Sequence, residues 1–275
     1  MTTVTCRAHG LRYDPAVAGG CVLCKRTSSP PRSRGSGRRV ALVGVALLVC
    51  GGAFVAWYRG RGSAGVETTL ATTNRDGRSG EAYVPEHDAS RALPLLVAIH
   101  GTGGDGHGAV AGFRAMADAK GFVIVAPDSR RTPDGRWSWE VGDHAGEVTD
   151  DYRHVMACIR EVTAIPGLRI DLAHVLVAGH SGGGSSAPYL ATNEPLFTAF
   201  AVLHGGVFPG GLGAHGVRGW FSGGSRDPIR PAAGVTSAAD AARAAGVADV
   251  EMHVFEGGHE VSPAEMDALI AWWLR

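Results

Sequence analysis

The stretch VLVAGHSGGG, residues 175–184, constrains this 275-residue chain more than any other. Its four leading apolar residues, Val175, Leu176, Val177 and Ala178, require a buried strand. The strand runs directly into Gly179-His180-Ser181-Gly182-Gly183, with glycines two before and two after a serine. Those glycines let backbone and neighbouring strands approach where a side chain would collide, so Ser181 can occupy a strained strand-to-helix turn with its hydroxyl exposed. The five-residue pattern alone arises easily in a chain with 41 glycines. Its weight comes from the surrounding elements and from the partners available downstream.

Five apolar runs at 91–99, 121–126, 175–178, 217–223 and 250–255 read as strands buried on both faces, as in a mostly parallel sheet covered by helices. Between and after them, helices are expected at 107–120, 150–163, 185–192, 237–245 and 262–274. Ser262 and Glu265 form a capping box with Pro263 at the first helical position. Residues 67–84 offer one or two edge strands. Trp272 and Trp273 read as core anchors, and Cys158 as a buried helical thiol. In such a sheet the ligand site lies at the carboxyl ends of the strands.

Two residues at those ends complete a nucleophilic constellation with Ser181 in the chain order Ser, Asp, His. Asp227 follows one strand in GSRDPIRP, and His259 follows the next in EGGHE. His259 would take the Ser181 proton and return it to the leaving group, and Asp227 would hold the tautomer and stabilise the imidazolium. The bland readings are a turn cap for Asp227 and a packed or surface histidine for His259. Asp249 begins its strand and so belongs at the opposite edge, and Asp128 comes too early in the order. After the LPLLVAI run, His100, Gly101, Thr102, Gly103 and Gly104 form a turn that can aim backbone N–H groups at developing negative charge. The amides of Thr102 and Gly182 are the expected oxyanion donors, with His100 orienting the loop. A phosphate-binding reading of this loop lacks the required lysine followed by serine or threonine. Trp137, Trp139 and His204 are candidates for a substrate pocket, with simple packing as the alternative for each.

The amino-terminal portion differs in character. Cys6, His9, Cys21 and Cys24 have the spacing of a zinc-ribbon-like segment over residues 1–27, with a disordered tail or a Cys21–Cys24 redox pair as alternatives. A basic Pro/Ser/Gly linker at 28–39 leads to 19 uncharged residues at 40–58, long enough for a transmembrane helix. A buried core helix and a late-cleaved leader are the other readings of that run. Basic residues crowd its amino-terminal side, which predicts a cytoplasmic amino terminus and an extracytoplasmic domain at 68–275 after a linker at 59–67. The 26 basic and 26 acidic residues argue against a nucleic-acid partner. A membrane and a cytoplasmic protein bound by the zinc-ribbon-like segment are the partners this reading expects.

The segments LPLLVAIHGTGG, DDYRHVMACIREV, RIDLAHVLVAGHSGGG, GSRDPIRP and EGGHE together resemble the α/β-hydrolase superfamily, in particular its polyhydroxybutyrate depolymerase-like and feruloyl-esterase-like esterases. The resemblance implies an α/β-hydrolase fold from about residue 68 onward and a serine-dependent carboxylic ester hydrolase working through an acyl-enzyme, with no organic cofactor. It implies small-molecule or polymeric ester substrates. Thr102 stands where the depolymerase-like group often has a cysteine-containing segment, and no cysteine pair ties the loop down. The competing readings are a serine peptidase and a non-catalytic, membrane-tethered binding protein.

Overall fold

The computed structural model describes residues 4–5, 12–13, 65–131, 137–142, 146–209 and 216–275. It divides into two units, Met1–Val49 and Cys50–Arg275. In the first, the described residues are two short antiparallel strands, β1 (Val4–Thr5) and β2 (Arg12–Tyr13), with Val4 opposite Tyr13.

The second unit is built on an eight-stranded sheet. Its strands are β3 (Val66–Thr69), β4 (Gly80–Val84), β5 (Leu93–Ile99), β6 (Val123–Pro127), β9 (Ile170–His180), β10 (Ala199–Leu203), β11 (Arg218–Gly224) and β12 (Ala248–Phe255). A separate antiparallel pair, β7 (Arg130–Arg131) and β8 (Trp137–Ser138), lies in the loop that follows β6. The spatial order is β12-β11-β10-β9-β5-β6-β4-β3, in which β4 runs antiparallel to both of its neighbours, β6 and β3, and every other pairing is parallel. Right-handed crossovers through helices are the ordinary way to connect such parallel strands. The central strands β5 and β6 are buried at every position, which is why they read as unbroken apolar runs instead of alternating ones.

Among the described residues five helices flank the sheet: α1 (Gly106–Lys120), α2 (Asp150–Thr163), α3 (Ser186–Asn193), α4 (Ala232–Ala244) and α5 (Pro263–Trp273). Asp105 caps α1, and a left-handed Gly121 ends it with its N–H on the Ala117 carbonyl. The capping box expected at α5 forms, with Ser262 and Glu265 bonding reciprocally and Pro263 inside the first turn. One core cluster centres on Val97, Val177 and Phe221. The other contains Leu96, Leu176, Trp220, Trp272 and Trp273, with both terminal tryptophans essentially inaccessible. Alternate residues of β5 and β9 enter opposite clusters, as a sheet covered on both faces demands.

The membrane-anchored topology is corrected. Among the described residues no helix is long and apolar enough to cross a membrane. The longest described helix, α1, has 15 residues, about 22 Å, against the roughly 30 Å of a hydrocarbon core. The run at 40–58 and the ligand candidates Cys6, His9, Cys21 and Cys24 lie outside the described residues. The resemblance therefore narrows to the α/β domain, and the expectations of a zinc-ribbon-like segment, an extracytoplasmic location, a membrane and a cytoplasmic partner fall with the topology.

Candidate active site

The elbow forms where β9 ends at His180. Ser181 opens a short 3-10 turn (Ser181–Gly184) that leads into α3. Its φ of 50° lies in the left-handed region, which costs a non-glycine residue of order 1–3 kcal/mol and marks a turn held by its surroundings. The glycines make that turn sterically feasible. A Cβ on Gly179 would stand 2.0 Å from the Gly183 carbonyl oxygen, and one on Gly183 would stand 2.5 Å from the Ile99 carbonyl oxygen.

Ser181, His259 and Asp227 come together from three separate loops. His259 Nε2 lies 2.8 Å from Ser181 Oγ, and its Nδ1 lies 2.7 Å from Asp227 Oδ2. Oδ1 of Asp227 accepts the N–H groups of Ile229 and Arg230, each at 2.8 Å. Burial would raise the Asp227 pKa, but the hydrogen bonds from Arg230, His259, Ile229 and His204 outweigh it and hold the carboxyl well below its usual range. The aspartate is thereby kept ionised, with Oδ2 aimed at His259. Of the competing acids, Asp128 is engaged with Arg78 and the Gly106 N–H, and Asp249 lies at the start of β12.

The loop after β5 packs directly against the elbow. A Cβ on Gly182 would fall 3.1 Å from the Thr102 nitrogen and 2.4 Å from its Oγ1, so the Thr102 backbone lies beside the residue that follows Ser181. A Cβ on Gly101 would stand 3.2 Å from Ser181 Cβ. Gly103 takes a φ of 87°, and the Gly104 N–H closes the turn on the Gly101 carbonyl at 3.0 Å. His100 braces this loop from within. Its Nδ1 donates to the Gly101 carbonyl at 2.7 Å and its Nε2 accepts the Ser129 N–H at 3.0 Å, so the ring is the neutral Nδ1–H tautomer. Burial pushes its pKa down, in keeping with that state. The Thr102 nitrogen and Gly182 are thus neighbours next to Ser181.

Of the three expected pocket residues, Trp139 and His204 are buried in packing roles. Trp139 is buried; its indole N–H donates to the His100 carbonyl at 2.8 Å and its ring packs 5.0 Å from the His100 ring. It supports the loop. Trp137 lies in β8, and its side chain is outside the described residues. His204 is 1% exposed, with Nδ1 3.2 Å from Asp227 Oδ2 and Nε2 3.0 Å from Glu265 Oε2. Sequence reasoning passed over two further contributors. His180, inside the elbow motif, has Nε2 2.9 Å from the His259 carbonyl oxygen and donates to it; burial lowers its pKa. Glu265 registered only as a helix cap, because nothing in a linear pattern shows that its side chain reaches inward.

An apolar cavity of about 470 Å³ lies beside the elbow, bounded by Gly101, His180 and Leu203 on one side and by Phe113, Val261 and Met266 on the other. A more polar one of about 520 Å³ is lined by Arg75, Arg130, Asp150 and Asp151 among others, and neither cavity is lined by Ser181, Asp227 or His259. Among the described residues, one group has atoms close enough to hold a metal, namely His204, Asp227 and His259. Those atoms already bond to one another, which a metal would have to disrupt.

An eight-stranded, mostly parallel sheet with a serine on a strained elbow and an acid and histidine at later strand ends defines the α/β-hydrolase class. Within that class, residues 79–275 match the family described as Esterase PHB depolymerase, and the chain belongs to it. That membership supports a hydrolase function for the domain. Solved structures with similar folds include esterase B from Lactobacillus rhamnosis (16% identity, TM-score 0.58, covering 82% of this chain and 90% of that one). A carboxylesterase from Mesorhizobium loti is 17% identical, with a TM-score of 0.55 and coverage of 75% and 97%. The Bacillus cereus carboxylesterase is 17% identical, with a TM-score of 0.51 and coverage of 80% and 97%. No curated protein matches the chain.

Proposed function

We propose that the protein hydrolyses carboxylic esters through an acyl-enzyme formed on Ser181. The observation that carries this reading is the continuous hydrogen-bonded line from Ser181 Oγ through His259 to Asp227, at 2.8 and 2.7 Å, set on a strained elbow. His259 Nε2 accepts the serine proton as Oγ attacks the carbonyl carbon. The amides of Thr102 and Gly182 hold the oxyanion, and the imidazolium protonates the departing alcohol. Water, deprotonated by the same nitrogen, then attacks the acyl-enzyme and releases the acid with Ser181 restored. Asp227 retains its charge throughout and stabilises the imidazolium.

The test is hydrolysis of an acyl p-nitrophenyl ester series and of a peptide p-nitroanilide by the full chain and its Ser181→Ala variant. Ester turnover with an initial burst, abolished in the variant, is the expected result. Serine-dependent turnover confined to the anilide would replace the esterase reading with a peptidase, and turnover equal in both proteins would remove Ser181 as nucleophile.

A further inference from the structure

Beneath the three residues lies a second layer of charged groups that the proposed reaction does not itself use. His204 follows the last residue of β10, and its backbone N–H is held by the Ser222 carbonyl at 2.8 Å. Its φ of 47° is left-handed, an uncommon conformation for a histidine and one that surrounding contacts must enforce. In the parallel register Leu203 pairs with His180, so the strained His204 and the strained Ser181 each directly follow the last paired residue of neighbouring strands.

Both ring nitrogens of His204 face carboxylate oxygens, Asp227 Oδ2 at 3.2 Å and Glu265 Oε2 at 3.0 Å, and both of those side chains are fully buried. A carboxylate only accepts, so a neutral imidazole would set one lone pair against an oxygen lone pair. The remaining Glu265 oxygen accepts the Ser222 hydroxyl at 2.5 Å, and Oε2 also faces the Ser262 N–H at 3.4 Å. With donors at both oxygens, Glu265 is suited to the ionised form. Two buried carboxylates on either side of one ring are stable only if the ring carries the compensating charge.

We propose that His204 is a positioning residue, a standing imidazolium clamped between Asp227 and Glu265, which keeps Asp227 anionic and aimed at His259. This rests on the ester-hydrolase reading above. Burial works against the charge on His204, but bonding and attraction to Glu265 and then Asp227 outweigh it and raise the pKa. The other titratable groups facing the ring are His180 from β9, its ring 6.0 Å away, and His259 from the loop after β12, 5.9 Å away. Glu260, exposed on that same loop, adds a weaker negative field. His180, with its pKa lowered, contributes no positive charge. The charge on His204 therefore stands 5.9 Å from the ring that takes the serine proton, and removing it leaves the positive charge that develops there during reaction less opposed.

The experiment compares pH profiles of kcat/KM for the full chain, His204→Gln and the His204→Gln/Glu265→Gln double variant, with p-nitrophenyl acetate as the probe. At 5.9 Å and an effective dielectric near 20, the repulsion corresponds to about two pH units. His204→Gln is expected to move the acid limb upward by about one to two units, with kcat at pH 7 reduced about 10- to 100-fold and KM nearly unchanged. The double variant, which removes a positive and a negative charge together, is expected to return the limb toward its original position. An unmoved limb in His204→Gln overturns the proposal, even if activity falls, because a purely structural role would leave the pH profile in place. If His204→Gln does not fold, 15N-histidine spectra of the unsubstituted chain decide the matter. One imidazole protonated on both nitrogens at pH 8.5 is expected, and all imidazoles neutral at that pH overturns it. Ser181→Ala runs alongside: serine-dependent turnover with an unmoved limb sinks this proposal alone. Turnover that survives Ser181→Ala removes Ser181 as the nucleophile and with it the acyl-enzyme reading, and the spectra then decide the charge of His204 independently.

Discussion

Replacing Asp227 with asparagine changes one atom, and its consequence can be followed bond by bond. The Ile229 and Arg230 N–H groups fix the side chain at Oδ1, where the asparagine carbonyl must sit to keep both bonds at 2.8 Å. The amide NH2 then occupies the place of Oδ2, facing Nδ1 of His259. To accept from it, His259 must shift its proton to Nε2, the nitrogen that meets Ser181 Oγ at 2.8 Å. The base is then blocked, and the imidazolium has lost the charge that faced it at 2.7 Å. At an effective dielectric of about 20 that attraction is about 6 kcal/mol, so kcat should fall by about 10⁴-fold. The assay is steady-state ester hydrolysis at pH 8 with the fold checked by circular dichroism. A folded Asp227→Asn variant within tenfold of the unsubstituted chain would refute both the tautomer reasoning and the place of Asp227 in the line.

Three further outcomes are expected. In Gly179→Ala the new methyl group meets the Gly183 carbonyl oxygen at 2.0 Å, so thermal unfolding should show a loss of about 1–3 kcal/mol together with loss of ester turnover. Trp139→Phe leaves the His100 carbonyl without its indole donor at 2.8 Å, and urea titration should register about 1–3 kcal/mol with a smaller fall in kcat. Burial pushes the Asp151 carboxyl up to about 6, against opposition from the Glu140 N–H and Arg130. A folded pKa above the unfolded value near 3.9 means that the native state binds more protons, so stability declines as pH rises from about 4 to about 6. Asp151→Asn should therefore raise Tm more at pH 8 than at pH 4.5, by at most about 3 kcal/mol in stability; an equal effect at both pH values would contradict the assignment.

The α/β layers were legible because the central strands are buried on both faces and carry unbroken aliphatic runs. Helix α2 falls at the residues expected, with Thr149 capping it through the Tyr152 N–H. Strand β9 is longer than its apolar stretch because Ile170 pairs with Leu93 across a register irregularity, and the residues between it and Val175 are partly or fully exposed, a pattern that hydropathy does not register. Strand β10 is only five residues long, too short for its apolar run to stand out among the strands expected. Helix α4 starts at Ala232 and not at 237, since its first turn carries Gly234 and no side-chain cap. The positions of Ser181, Asp227 and His259 were legible because each sits at a strand end, and strand ends can be counted along a chain. Side-chain direction cannot be counted in that way. Trp139 and His204 point inward as braces, and Glu265 and His180 join them, because the packing of loops against one another sets where those groups reach. The membrane reading came from a run at 40–58, outside the described residues, and no described helix supplies one.

The paired left-handed residues, Ser181 with φ of 50° and His204 with φ of 47°, put stability and activity in opposition at two adjoining positions. Glycine at either site would relieve about 1 kcal/mol or more of backbone strain while deleting a functional group. Thermostability screening that ignores turnover would therefore enrich glycine at 181 and 204, drifting toward a sturdier fold that no longer reacts. Libraries built to harden this scaffold need those two codons held constant, and improvement sought instead on the outer faces of the helices.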